Sequence, residues 1–398
     1  MSLDQAPFLV QSLMPPRQSL RVALVTETYP PEVNGVAMTV ARLVDGLHQR
    51  GHAVQLIRPR QQAHEAASDE APVQELLMRG LPIPRYPHLK LGLPAKRALI
   101  RQWQQHRPDV VHVATEGPLG WSALQAAHTL KLPVTSDFRT NFHAYSKHYG
   151  VGWLSKPIMA YLRKFHNRTQ ATMVPTAGLA QDLGSMGFKG LHVVGRGVDT
   201  ERFCPQRRSD SLRREWGAGP QTQVVMCVGR LAPEKNLDLL MQAFEAVRSE
   251  APDSKLVLVG DGPLRSALQQ AHPQVHFAGM QTGTALAEHY ASADLFLFPS
   301  VTETFGNVTL EAMASGLPVL AYRYAAAAQV IEHGVNGCLV DFDQAVHFIA
   351  QARLLAARRG RLQDMAAAAR QTALTQGWAH IVSQVEAIML QTCAQASR

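Results

Sequence analysis

Short apolar, β-branched runs alternate with longer helical patterns along this chain, and the alternation happens twice. The strand-like runs of the first half lie at Val22 to Glu27, Ala53 to Pro59, Asp109 to Ala114, Pro133 to Phe138, Ala171 to Pro175 and Leu191 to Val194. Those of the second half lie at Val224 to Gly229, Lys255 to Gly260, Val275 to Gly279, Leu295 to Pro299, Pro318 to Ala321 and Cys338 to Val340. Strands that alternate with helices form parallel sheets covered on both faces, so the fold class is α/β. A chain of 398 residues is also too long for one ordinary core. The polar stretch 204–223 ends in Gly and Pro and reads as a linker between the two series. The expectation is two Rossmann-like domains, residues 1–203 and 224–375, facing each other across a cleft. Open α/β sheets bind ligands outside the carboxyl ends of their strands, so that cleft is where a site belongs.

One strand end concentrates chemistry. After Leu295 to Pro299 come Thr302, Thr304, Gly306 and Asn307, which supply turn chemistry. Val308 to Ser315 then reads as a helix stopped by Gly316. Glu303 falls in the loop and Glu311 in the helix. A helix N-terminus beside Phe305, Gly306 and Asn307 offers backbone N–H groups to an anion. The two carboxylates are acceptors suited to sugar or ribose hydroxyls.

Three further strand-end loops carry phosphate-type patterns. V-T-E-T-Y-P-P-E-V-N-G-V-A is stiffened by Pro30 and Pro31 and turned into a helix by Asn34 and Gly35. V-G-R-L-A-P-E-K-N carries Arg230 and Lys235, two cations that a turn can bring onto one pyrophosphate. In V-G-D-G-P-L-R, Gly260 and Gly262 flank Asp261 before a helix that opens at Pro263. A nicotinamide-type dinucleotide site is disfavoured, because no G-x-G-x-x-G follows the first strand of either half.

Charge is lopsided. Residues 1–200 hold 22 Lys and Arg against 13 Asp and Glu, whereas the remainder is close to neutral within a total of +8. A basic half can meet nucleic acid, an anionic membrane or an anionic substrate. No RNA-binding motif accompanies it, and nucleic acid is not expected. Trp153, Tyr161 and Phe165 interleave with Lys147, Lys156, Arg163, Lys164 and Arg168, while Arg85, Lys90, Lys96, Arg97 and Arg101 form a second group. Both groups are candidate contacts with anionic lipid, although Leu154, Ile158, Leu162 and Phe165 have the spacing of a buried helix face. No apolar stretch reaches the roughly 20 residues that span a bilayer, and the start lacks a signal-peptide pattern, so a cytoplasmic location is expected. Cys204, Cys227, Cys338 and Cys393 lack C-x-x-C spacing and suggest neither a zinc site nor a disulfide framework.

P-P-E-V-N-G at 30–35, R-P-D-V-V-H-V at 107–113, R-G-V-D at 196–199 and V-G-R-L-A-P-E-K-N at 228–236 occur in one order, followed by V-G-D-G-P at 259–263 and the Glu303 to Glu311 block. In that combination nearly the whole chain resembles glycosyltransferase family 4, the retaining nucleotide-sugar transferases of GT-B fold. The resemblance implies a donor such as GDP-mannose or a UDP-sugar held by the second domain, with no metal or other cofactor. It implies a lipid or glycan acceptor held by the first domain, cleft closure on binding, and a C-terminal helix near Trp378 to Thr392 that returns to the first domain. Arg230 and Lys235 would clamp the diphosphate, and Glu311 would accept from the ribose. Glu303 with the backbone of Phe305, Gly306 and Asn307 would hold the transferred sugar, and Gly35 would bring the first-domain loop against the phosphates. A noncatalytic nucleotide-sugar-binding or membrane scaffold protein is the alternative.

Two local features modify that picture. Many members of the family have a histidine immediately before the Thr of V-T-S-D-F-R-T, where this chain has Arg139. Arg139 stays protonated and cannot act as a base, but it can pair with a sulfonate, carboxylate or phosphate. His143, four residues on, is a second candidate for the sugar side. Asp341-Phe342-Asp343 has the form of a metal-binding D-x-D but follows the last strand, outside the context such a motif needs.

Overall fold

The computed structural model describes residues 19–396 except 33, 63, 64, 66–72, 84, 85, 140–151 and 304. Two parallel sheets carry the architecture. The first contains β1 (Arg21–Val25), β2 (Ala53–Pro59), β3 (Gln74–Met78), β6 (Val110–Val113), β7 (Val134–Asp137), β8 (Ala171–Val174) and β9 (Leu191–Val193). Their order is β3-β2-β1-β6-β7-β8-β9. β4 (Gly80–Ile83) and β5 (Tyr86–Gly92) form a separate antiparallel hairpin. The second sheet contains β10 (Val224–Val228), β11 (Lys255–Val259), β12 (His276–Gly279), β13 (Leu295–Phe298), β14 (Val319–Tyr322) and β15 (Gly337–Val340), in the order β12-β11-β10-β13-β14-β15.

The central strands are buried from end to end, as in Val224–Val228 and Leu295–Phe298, because helices cover both faces. That double burial makes their sequences continuous apolar runs. All the strands expected from such runs are present within one or two residues. β3 and the hairpin were not expected. Q-E-L-L-M opens with two polar residues on an edge strand, and the hairpin holds Pro82 and Pro87, which ordinarily argue against a strand.

Strand order reverses between β1 and β6 in the first sheet and between β10 and β13 in the second. Diverging loops leave a crevice at such switch points. The loops after β1, β10 and β13 hold Gly35, Lys235 and Glu303, so topology alone brings these positions to the sheet ends that bind ligands.

Residues 204–223 carry a short helix and packing of their own. The helix Asp210–Glu215 buries Arg213, which donates to the carbonyls of Ser292 (2.8 Å), Gly219 (3.1 Å) and Thr222 (2.6 Å) and pairs with Asp294 at 3.0 Å. Trp216 and Ala218 join the core of the second sheet. The polar composition serves two ends: Arg213 is buried in this network, while Gln206, Arg208, Asp210, Ser211, Arg214 and Glu215 are exposed. On the helix Gly152–His166, Leu162 and Phe165 are buried as their spacing requires, whereas Ile158 and Tyr161 are exposed.

The helix Trp378–Ala396 returns to the first sheet and packs Ile381, Val382, Val385 and Met389 against Val40 and Val44 of the helix Gly35–Gln49. A Cβ on Gly46 would lie 2.5 Å from Val382, so glycine sets how closely the two helices approach. Glu386 fastens the contact by accepting from Arg50 Nε at 2.8 Å and meeting His52 Nε2 at 2.9 Å. The chain crosses between the two bodies twice, side by side: Val198 N–H donates to Gln376 at 3.0 Å, and Val198 bridges Gly377. No helix among the described residues is long and apolar enough to cross a membrane.

Candidate active site

On the second-sheet side the site is built around Glu303. Its Oε1 accepts from Ser300 Oγ at 2.7 Å and forms an ion pair with Lys235 Nζ. Its carbonyl accepts from Tyr324 Oη at 3.0 Å. The side chains of Lys235 and Glu303 are 18% and 15% exposed, which leaves both within reach of a ligand. Lys235 Nζ also lies 5.8 Å from the centre of the Phe298 ring. Gly306 adopts φ 91°, a left-handed conformation that favours glycine, and starts the helix Asn307–Ala314 with no side-chain cap. The first turn therefore presents N–H groups without a side-chain acceptor. Phe305 beside it is buried, and Asn307 Oδ1 is buried with no partner among the described residues.

Glu311 has a different environment. It accepts from Tyr290 Oη at 3.0 Å, and burial pushes its carboxyl up to about 7, against the opposing pull of that hydrogen bond and of Arg202. Glu303 and Glu311 thus sit in loop and helix as expected, each with its own partner. The Arg230 side chain is 65% exposed and lies 3.7 Å from Glu234. Each of the two cations expected on one pyrophosphate has its own carboxylate partner, Glu234 for Arg230 and Glu303 for Lys235.

The V-G-D-G-P loop is occupied by packing. A Cβ on Gly260 would lie 2.0 Å from the Gly229 carbonyl oxygen, and Leu231 N–H donates to Asp261 at 2.9 Å. These glycines let two loops touch.

The first sheet contributes the opposite wall. Asn34 Oδ1 caps the helix Gly35–Gln49 by accepting from Val36 at 3.1 Å and Ala37 at 2.8 Å, which places Gly35 at the helix start. Arg139 is held by a carboxylate. Its Nε donates to Asp137 Oδ2 at 2.9 Å, and His112 Nε2 lies 3.2 Å from the same oxygen. Burial opposes ionisation of Asp137, but Arg139 and His112 outweigh it and hold the carboxyl well below its usual range. Arg196 reaches across the cleft: it lies 5.8 Å from the centre of the Phe305 ring and interacts electrostatically with Arg139, Asp137 and Glu303. His143 lies outside the described residues.

Two family models match consecutive parts of the chain: Glycosyltransferase Family 4 over residues 33–202 and Glycosyl transferases group 1 over residues 222–358. A GDP-mannose-dependent alpha-mannosyltransferase of Mycolicibacterium smegmatis is 36% identical over 355 residues, 86% of this chain and 93% of that protein. The chain belongs to glycosyltransferase family 4. Sulfoquinovosyl transferase SQD2 of Arabidopsis thaliana is 32% identical over 83% of this chain and 65% of that protein. Among solved structures, Anabaena HepE in complex with UDP superposes with a TM-score of 0.72 at 18% identity, covering 93% of this chain and all of that one. WaaG, a glycosyltransferase involved in lipopolysaccharide biosynthesis, gives 0.66 at 19% identity over 92% and 99%. These likenesses establish the GT-B fold.

Within this family 4 glycosyltransferase the structure adds site residues that the sequence did not single out. Ser300 and Tyr324 hold Glu303, and Tyr290 holds Glu311. Asp137 and His112 fix Arg139. A signal existed for Asp137: at a strand end, residues two apart point to the same side, so Asp137 and Arg139 were placed to pair. Arg196 stood inside the R-G-V-D motif, but nothing local marks a lone arginine as facing a cleft.

Proposed function

We propose that this glycosyltransferase moves a hexose, with retention of configuration, from a nucleoside-diphosphate sugar to a lipid or glycan acceptor at the cytoplasmic face of a membrane. GDP-mannose is the first candidate donor, supported by the mannosyltransferases at 34 to 36% identity. A UDP-sugar is the second. The single observation that carries the reading is the Lys235–Glu303 pair at the switch point of the second sheet, beside an uncapped helix N-terminus. Lys235 supplies fixed positive charge for a diphosphate, Glu303 accepts from sugar hydroxyls, and Glu311 accepts from the ribose.

The chemistry follows from the leaving group. As the bond from the anomeric carbon to the phosphate oxygen breaks, its electron pair stays on that oxygen. The acceptor oxygen bonds the anomeric carbon from the same face and passes its proton to the departing phosphate. Pre-placed cations and N–H groups stabilise the developing charge, which lets the reaction proceed without a metal. The acceptor side is supported by exposed Lys96, Arg97, Arg101, Lys156, Arg163 and Lys164 on the first domain, at about 1 kcal/mol per well-placed cation on anionic lipid. Arg85 and Lys147 of the same groups lie outside the described residues.

A thermal-shift panel of GDP, UDP, GDP-mannose and UDP-hexoses identifies the donor, since a ligand that binds only the folded state raises Tm. Incubation of that donor with membrane lipid, with and without EDTA, then tests transfer, and the anomeric proton coupling of the product reports configuration. Nucleotide binding without transfer or donor hydrolysis identifies the noncatalytic alternative. Vesicle sedimentation independent of anionic lipid rules out the membrane contact.

A further inference from the structure

Among the described residues, two cations at the cleft are paired with carboxylates and a third is not. Lys235 is matched by Glu303, and Arg139 is matched by Asp137. Arg196 has no hydrogen bond or ion pair among the described residues, although burial removes much of its water and lowers its guanidinium to about 10, where it remains protonated. A desolvated cation without a hydrogen-bonded anion is costly unless one completes it. Its surroundings limit where that anion can sit. Nη1 lies 3.7 Å from the point a Cβ on Gly35 would occupy, at the start of the helix Gly35–Gln49, and the guanidinium lies against the Phe305 ring at the start of the opposing helix. Arg139 and Arg196 also share the wall of a cavity of about 30 Å³ with Asp137 and Phe138. Positive helix ends from both bodies and one unmatched cation therefore converge on one place.

We infer that Arg196 is the first-domain half of the diphosphate clamp, donating its N–H groups to the phosphate bonded to the transferred sugar. Lys235 approaches the same diphosphate from the second domain. Arg139, neutralised by Asp137, orients the neighbouring wall and blocks Arg196 from relaxing towards Asp137. When the sugar–phosphate bond breaks, the electron pair left on the phosphate oxygen is taken up by an arginine already in place. This inference rests on the nucleotide-sugar reading above, and it adds a residue that reads the phosphate and not the base.

The test is calorimetric titration of wild type, Arg196→Gln and Arg196→Lys with GDP and UDP and with the matching nucleosides. For the diphosphate that binds wild type, Arg196→Gln should weaken affinity roughly ten- to a hundredfold, the loss of one or two charge-assisted hydrogen bonds. Affinity for the nucleoside should be unchanged, and Arg196→Lys should recover part of the diphosphate affinity with its salt dependence. Equal diphosphate affinity in wild type and Arg196→Gln overturns the inference. A parallel loss for nucleoside and diphosphate also overturns it, because that is the signature of a contact that only holds the domains together. If wild type binds neither diphosphate, the nucleotide-sugar reading itself fails, and the inference with it.

Discussion

Glu311→Gln isolates one charge whose protonation couples folding to donor binding. The Glu311 carboxyl is raised from an ordinary value of 4.5 to about 7, chiefly by burial. The native state therefore holds the proton more tightly than the unfolded chain does. Its stabilising contribution is present below about pH 4.5 and is lost as pH rises through about 7. At about 1.4 kcal/mol per unit, the full swing is about 3 kcal/mol, an upper bound because water reaches part of the side chain. A domain of 150–250 residues loses about 2–4 °C in Tm per kcal/mol, so the swing is several degrees. Glutamine keeps an oxygen that accepts from Tyr290 but cannot ionise. Thermal melts from pH 5 to 8 should show wild type losing several degrees relative to Glu311→Gln. Binding should run in the opposite sense: a ribose diol favours the ionised carboxylate, so affinity for a sugar nucleotide should rise with pH in wild type and stay flat in the variant. The sugar nucleotide is the right probe because its diphosphate has no ionisation in this window. Parallel melting profiles would refute the buried-carboxyl argument, and a pH-independent wild-type affinity would remove Glu311 from the ribose site.

Lys235→Ala removes a charge-assisted contact and should weaken diphosphate binding roughly ten- to a hundredfold by calorimetry; unchanged affinity would take Lys235 out of the site. Arg213→Ala leaves three carbonyls and Asp294 without their buried donor, and should cost about 3 kcal/mol in urea denaturation. A loss under 1 kcal/mol would show that this network does not hold residues 204–223 against the second sheet. Gly46→Leu drives a side chain into Val382 and should cost about 1–3 kcal/mol, with faster hydrogen exchange confined to residues 378–396. Unchanged exchange there would show that the helix contact tolerates separation.

The parallel sheets were legible because strands buried on both faces leave continuous apolar runs, as in Val224–Val228 and Leu295–Phe298. β3 and the β4–β5 hairpin were not, since an edge strand buries little and Pro82 and Pro87 contradict strand propensity. In the site, the placement of Glu303 in a loop and Glu311 in a helix followed from local turn chemistry. Their separate partners did not, because Ser300, Tyr324 and Tyr290 reach them through tertiary packing. The same limit applies to cations. Sequence grouped Arg230 with Lys235 by spacing, but gave no sign that the fold would place Arg230 beside Glu234 or bring Arg196 to the cleft from a different sheet.

The adjacent chain crossings at Val198 and Gly377 make the second body, in effect, an insert whose entry and exit share one doorway. Two connections far apart would lock the lobes like a door hinged on both sides. Here both run through a single point, so swinging of the rear lobe has one pivot and needs no unfolding at either end. The long final helix is then the anchor plate of that pivot, and severing it would leave the rear lobe tethered by one thread.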